Sequence, residues 1–155
     1  MERSWIKTKM PEDALELKKN LRCDMKARRN ALTDEEKKHA AANCLSKLKE
    51  LPEFMNADWI YAYIACRNEL ETADIISWCL SYGKHVAVPK VQGEIMHFYE
   101  ITVLSDCVPG AFGILEPAGE KKDRITTPGF MLVPGLAFDK NGNSYISSGL
   151  NFKKE

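Results

Sequence analysis

Trp59-Ile60-Tyr61-Ala62-Tyr63-Ile64 and His85-Val86-Ala87-Val88-Pro89, with Ile75, Ile76, Cys79 and Leu80 between them, decide the fold of this chain. The first run is aromatic and β-branched, and reads as a central strand over 59–64. Thr72 stands where a helix cap belongs. The four apolar residues that follow recur at helical spacing until Gly83 stops the helix. His85–Pro89 is a second strand, so residues 59–89 form a β-α-β unit. The right-handed crossover of such units makes the two strands parallel.

Further along, Phe130-Met131-Leu132-Val133 is a short apolar run cut by Pro134-Gly135 and followed by an Asp139-Lys140-Asn141-Gly142 turn. It reads as another buried strand of the same sheet. Met96-His97-Phe98-Tyr99-Glu100 alternates in character and is a further strand, whereas 104–129 is loop-rich, punctuated by Pro and Gly. Toward the N-terminus, Pro11-Glu12-Asp13 opens a helix running to about Ala31. Thr33-Asp34-Glu35-Glu36 is a capping box that starts a second helix, ending near Glu50 ahead of Pro52. The expected architecture is α/β: a mainly parallel sheet with flanking helices in a three-layer α/β/α arrangement, entered through an N-terminal helical pair.

The totals bound the function. A chain of 155 residues suits one domain with one core. Lys+Arg and Asp+Glu are both 22, so charge favours neither a nucleic-acid binder nor a membrane-surface protein. No apolar stretch approaches the roughly 18 residues that span a bilayer, and Met1–Lys7 lacks the apolar core of a secretory signal. Cys23, Cys44, Cys66, Cys79 and Cys107 contain no Cys-x-x-Cys pair. They are expected to be free thiols of a cytoplasmic protein. His39, His85 and His97 are too scattered for a metal cluster, and no metal-ligating residue is assigned.

Two segments could carry chemistry. Lys18, Arg22, Lys26 and Arg29 fall within one narrow arc of the first helix, at about 100° per residue, beside an arc of Leu17, Leu21 and Met25. The leucine face is expected to pack on the sheet. Cations one turn apart suit phosphate oxygens, each forming its own charge-assisted bonds; the same stripe also suits a solvated helix face. The second segment is Ile64-Ala65-Cys66-Arg67-Asn68-Glu69-Leu70-Glu71-Thr72. Here Glu69 lies past a strand's carboxyl end, where open α/β sheets meet their ligands. An acid just before a helix also serves simply as a dipole partner.

Several blocks resemble, in order, those of the 5-formyltetrahydrofolate cyclo-ligase family. They are Lys18-Lys19-Asn20-Leu21-Arg22, Arg28-Arg29, Leu32-Thr33-Asp34-Glu35-Glu36, Glu69-Leu70-Glu71-Thr72, Gly83-Lys84 with Pro89, Met96-His97-Phe98, Gly113-Ile114-Leu115-Glu116-Pro117 and Leu132-Val133-Pro134-Gly135-Leu136-Ala137-Phe138-Asp139. The resemblance implies ATP-dependent conversion of 5-formyltetrahydrofolate to 5,10-methenyltetrahydrofolate in one-carbon metabolism, by a monomeric enzyme using ATP and Mg²⁺. It assigns Lys18, Lys19 and Arg22 to ATP, and Ile64 and Glu69 to the folate. Catalytic residues stay unassigned. A carboxylate is chemically apt at Glu69, because the pterin ring presents paired N–H donors.

Beyond Asn143 the pattern differs. Ser144 stands where the family has Arg, Gly149 is the one glycine, and no Asp follows Asp139. The family's glycine-rich ATP loop, its metal-linked Asp and its closing strand and helix have no counterpart. The expectation is therefore a single domain, residues 1–155, incomplete at its C-terminus and of little activity. Its last dozen residues, Phe152 included, would be poorly ordered or would leave a sheet edge uncovered. A non-catalytic folate- or nucleotide-binding relative, or the product of a damaged gene, is the alternative. A basic-helix module binding RNA or an acidic protein is a third reading, opposed by the balanced charge and by the lack of interleaved aromatics on that helix.

Overall fold

The computed structural model describes residues 12–93, 95–110, 113–119, 123–141 and 144–145. In chain order the elements are helices α1 (Glu12–Asn30), α2 (Asp34–Glu50) and α3 (Pro52–Asn56), strand β1 (Trp59–Tyr61), helix α4 (Ala73–Ser81), and strands β2 (His85–Gln92) and β3 (Ile95–Ile101). A 3₁₀ turn over Leu104–Asp106 leads into strands β4 (Cys107–Pro109), β5 (Leu115–Pro117), β6 (Phe130–Met131), β7 (Ala137–Phe138) and β8 (Ser144–Tyr145). These elements divide between two units, one with α1, β7 and β8, the other with everything from Leu32 to Pro134.

The larger unit holds the expected sheet, in the order β3-β2-β1-β6. β1 runs parallel to β2, with Ile60 beside Val86, and parallel to β6, with Ile60 beside Phe130. β3 is antiparallel to β2 and closes one side. The β-α-β reading of 59–89 is thus realised, and the strand expected over 130–133 joins the same sheet through Phe130–Met131.

One sheet face carries Ile60, Val86, Val88 and Ile101, which cluster with Leu48 of α2, Phe54 of α3, and Ile75, Ile76 and Cys79 of α4. Burying such a side chain contributes about 1.5–3 kcal/mol, so this cluster holds the helices to the sheet. Phe54 is fully buried, stacked at 5.8 Å on Trp78 and edge-on at 5.4 Å to Phe130. It fastens the five-residue α3, which is too short to be stable alone.

Helix α2 starts as its sequence dictates. Glu36 N–H donates to the Thr33 hydroxyl at 3.2 Å, and Thr33 N–H donates to the Glu36 carboxylate at 2.8 Å. Several strand boundaries differ from expectation, and β6 stops at Met131 rather than Val133. β1 ends at Tyr61 and β2 continues through Pro89 to Gln92. His85 N–H reaches Asp58 and Ala62 N–H reaches the Ala87 carbonyl, so odd-numbered residues of β2 face β1. Pro89, two residues on, has its missing N–H on an edge that β1 has already left, and no ladder bond is lost.

In the smaller unit, α1 has Glu12 and Asp13 in its first turn and Arg28 and Arg29 in its last, each sign matching the helix dipole. Its half-buried residues are Lys18, Leu21, Met25 and Arg29. Leu17 is 69% exposed, so the expected leucine face is corrected: the sheltered stripe includes two of the cations. β7 and β8 pair antiparallel. Between them the Asp139 carboxylate accepts Asn141 N–H at 2.8 Å, the Asx bond with which such a turn begins. The last residues, 146–155, for which disorder or an uncovered edge was expected, lie outside the described residues. β6 is the outer strand of its sheet among them.

Candidate functional site

Past Tyr61 the chain leaves the sheet at the carboxyl end of β1 and enters α4 at Ala73. The connecting loop is stitched by its own side chains. The Thr72 hydroxyl, on a residue only 1% exposed, donates to the Tyr63 carbonyl at 2.7 Å, and the Tyr63 hydroxyl donates to the Leu70 carbonyl at 3.1 Å. Thr72 occupies the cap position of α4 but makes no side-chain cap bond. Glu71 does that work, its Oε1 accepting Thr72 N–H at 2.9 Å and Ala73 N–H at 3.0 Å. Thr72 is therefore corrected from helix cap to loop tie, because its hydroxyl is drawn to the part-buried Tyr63 carbonyl.

The tip of this loop is the turn Cys66–Glu69. Glu69 N–H closes it on the Cys66 carbonyl at 3.0 Å. In return Cys66 N–H donates to Glu69 Oε2 at 3.1 Å, with the Cys66 Sγ at 3.5 Å from the same oxygen. Arg67 and Asn68 both have positive φ, 48° and 64°. Lys37 of α2 reaches over to donate to Asn68 Oδ1 at 3.1 Å.

Between α2 and this loop lies an open cleft of about 450 Å³, within the range of small-molecule sites. Its rim carries the cations Lys37, Lys38 and Arg67 and the acids Asp34, Glu69, Glu71 and Asp74, over a floor of Ala41, Ala65 and Cys66. The charge is mixed, which suits a ligand with both N–H donors and anionic groups.

Of the residues expected to act, Glu69 lines the cleft. Ile64 is buried in the core cluster, just ahead of the cleft-lining Ala65. Lys18, Lys19 and Arg22 lie on α1 in the other unit, with Lys18 half-buried and Lys19 and Arg22 exposed. Lys18 and Arg22 stand one turn apart, as phosphate contacts would require. Among the described residues no group of three His, Cys, Asp or Glu side chains could hold a metal ion, and no helix is long and apolar enough to cross a membrane. None of the five cysteines forms a disulfide among the described residues. Burial pushes the Cys79 thiol up to about 11, against a smaller opposing pull from Lys84, and burial alone raises Cys44. Neither thiol is primed as a nucleophile.

Sequence reasoning missed Lys37, Cys66 and Asn68 as parts of this site. It also missed the burial of Glu116, which is 6% exposed and accepts Val91 N–H at 3.2 Å. Glu116 thereby covers the edge of β2 that β1 leaves open. A Cβ on Gly110 would run into its carboxylate. Lys90 secures the same strand, donating to the carbonyls of Pro117 at 2.9 Å and Gly119 at 2.7 Å. The Gly-Ile-Leu-Glu-Pro pattern flagged this segment, but not what it touches.

Comparison with known proteins gives a consistent result. A family model described as the 5-formyltetrahydrofolate cyclo-ligase family matches residues 14–145. The 5-formyltetrahydrofolate cyclo-ligase of Mus musculus is 27% identical over 135 residues, covering 81% of this chain and 66% of its own length. The NMR structure of 5,10-methenyltetrahydrofolate synthetase from Aquifex aeolicus superposes with a TM-score of 0.74 at 30% identity, covering 90% of this chain and 69% of that one. The Mycoplasma pneumoniae 5,10-methenyltetrahydrofolate synthetase shares the fold at 19% identity, with a TM-score of 0.57 over 86% of this chain and 72% of that one.

Proposed function

Because the chain belongs to the 5-formyltetrahydrofolate cyclo-ligase family, we propose that its cleft at Glu69 takes 5-formyltetrahydrofolate, and that it serves the ATP-dependent conversion of that folate to 5,10-methenyltetrahydrofolate. The observation that carries the reading is Glu69 itself. Its carboxylate is fixed by Cys66 N–H at the carboxyl end of a parallel strand, on the wall of a cleft of suitable size. A carboxylate held this way accepts adjacent N–H donors of a planar ring without first paying for its own ordering.

ATP supplies the activation: its γ-phosphoryl group goes to the formyl oxygen, which leaves as phosphate when N10 attacks the formyl carbon. Lys18, Lys19 and Arg22 are the proposed phosphate contacts, since cations one helical turn apart offer separate charge-assisted bonds. Ile64, in the core cluster just ahead of the cleft-lining Ala65, is the proposed apolar contact for the folate. Mg²⁺ is implied by the family, but the described residues offer it no group of three His, Cys, Asp or Glu side chains. A monomer in the cytoplasm, without nucleic-acid or membrane partners, completes the proposal.

A second reading rests on Ser144, which stands where the family has Arg. With that contact changed, the chain is a folate-binding relative of slow turnover. Absorbance of methenyltetrahydrofolate formed with Mg-ATP, beside calorimetric titration with 5-formyltetrahydrofolate, tests both. Binding with product formation supports the first reading, and binding alone supports the second. No binding contradicts both.

A further inference from the structure

The turn that carries Glu69 is bent in an uncommon way. Arg67 and Asn68 are the non-glycine residues at positive φ among the described residues, and they are consecutive. With the closing bond from Glu69 N–H to the Cys66 carbonyl, this is the pattern of a type I′ turn. Such turns ordinarily join antiparallel strands. This one joins nothing of the kind, since β1 has ended at Tyr61 and helix α4 follows at Ala73. Backbone at positive φ carries a steric cost for a residue with a Cβ. Strain of this type, held where a loop meets a cleft, calls for a functional account.

What the left-handed geometry achieves is the placement of one carboxylate. It folds Glu69 back so that Oε2 takes Cys66 N–H at 3.1 Å, while Oε1 has no protein partner among the described residues. Glu69 is thus half-engaged and half-available on the cleft wall. Asn68 is suited to its place twice over. Its short polar side chain tolerates the left-handed region far better than an aliphatic one. Its Oδ1 also accepts Lys37 Nζ at 3.1 Å, tying the turn to α2.

We infer that Asn68 is a positioning residue for Glu69: its left-handed backbone fixes the carboxylate so that Oε1 meets paired N–H donors on a planar ring ligand. This rests on the folate reading of the cleft. The backbone conformation carries the effect, and the Lys37 tie adds little, since an exposed hydrogen bond contributes weakly.

The test is calorimetric titration of the full chain with 5-formyltetrahydrofolate, for wild type, Glu69→Gln, Asn68→Val, Asn68→Gly and the double variant Asn68→Val with Glu69→Gln. Valine resists the left-handed region and glycine enters it freely. Asn68→Val should weaken binding about tenfold or more, and Asn68→Gly by no more than about twofold. In the Glu69→Gln background, Asn68→Val should have almost no further effect, because the carboxylate it positions is gone. A purely structural role would weaken binding equally in both backgrounds, and that result overturns the inference. So do equal losses from valine and glycine. If Asn68→Val does not fold, Asn68→Ala carries the test at about fivefold, by the same backbone argument. Wild-type binding that Glu69→Gln weakens but Asn68→Val does not overturns the positioning role alone. Absence of wild-type binding, or indifference to Glu69→Gln, overturns it together with the folate reading.

Discussion

Replacing Lys84 by methionine should loosen one corner of the larger unit. The Lys84 ammonium donates to the carbonyls of Met55 and Ala57, both at 2.7 Å, where α3 ends. It also lies 5.9 Å from the Phe54 ring centre and 5.8 Å from that of Tyr82. Methionine keeps most of the stem but leaves both carbonyls without their donor. Hydrogen bonds to a charged group contribute about 1.5–3 kcal/mol each, and water replaces part of that at a half-exposed position. A net loss of about 2–3 kcal/mol follows. At this chain length, 1 kcal/mol moves the midpoint by about 2–4 °C, so Tm should fall by about 4–12 °C. Urea unfolding followed by far-UV circular dichroism measures the loss directly. A change below about 0.5 kcal/mol would refute the reasoning and reduce Lys84 to an ordinary surface cation. Folate affinity measured well below Tm should not change, because the Gly83-Lys84 pair lies at the opposite end of β2 from the residues that extend past β1.

Two other substitutions probe independent parts of the account. The Cys79 thiol is raised by burial to about 11, so it stays protonated in the folded chain at pH values where the unfolded chain ionises. Its stabilising contribution is complete below about pH 9 and is lost as pH rises toward 11, on the order of 2 kcal/mol. Cys79→Ala should flatten that part of the stability profile, and an unchanged slope would contradict the assignment. Thr33→Ala removes the hydroxyl that accepts Glu36 N–H at 3.2 Å. It should cost about 1 kcal/mol in urea unfolding, and no loss would mean that the capping box does not stabilise α2.

The sequence was most legible where local pattern and tertiary structure agree. The β-α-β unit over 59–89 could be read because Ile75, Ile76 and Cys79 recur at the spacing that faces them onto Ile60 and Val86. The capping box at Thr33 and the side-chain bond that opens the turn at Asp139 are local, and both are present. Pro89 misled the boundary of β2, because whether a proline breaks a strand depends on which neighbour its absent N–H would have met. In α1, Leu17 is exposed while Lys18 and Arg29 are sheltered, which helical periodicity alone does not decide. At the site, Glu69 was found from its place after a strand. Its partners were not, since Lys37 reaches Asn68 across 31 residues of sequence and the left-handed turn has no glycine to announce it. Glu116 was hidden for the same reason, bonding a strand 25 residues away.

The most direct test compares two neighbouring acids by titration with 5-formyltetrahydrofolate. Both acids line the cleft, but Glu71 Oε1 is occupied in capping α4, a task that a glutamine oxygen can still perform, whereas Glu69 stands at the loop tip with Oε2 held by Cys66 N–H. Wild type should bind saturably. Glu69→Gln should weaken binding about ten- to a hundredfold, the equivalent of losing a charge-assisted bond of roughly 1.5–3 kcal/mol. Glu71→Gln should change it by no more than about threefold, since its backbone contacts persist. Equal effects of the two substitutions, or no binding by the wild type, would contradict the assignment of this cleft to the folate.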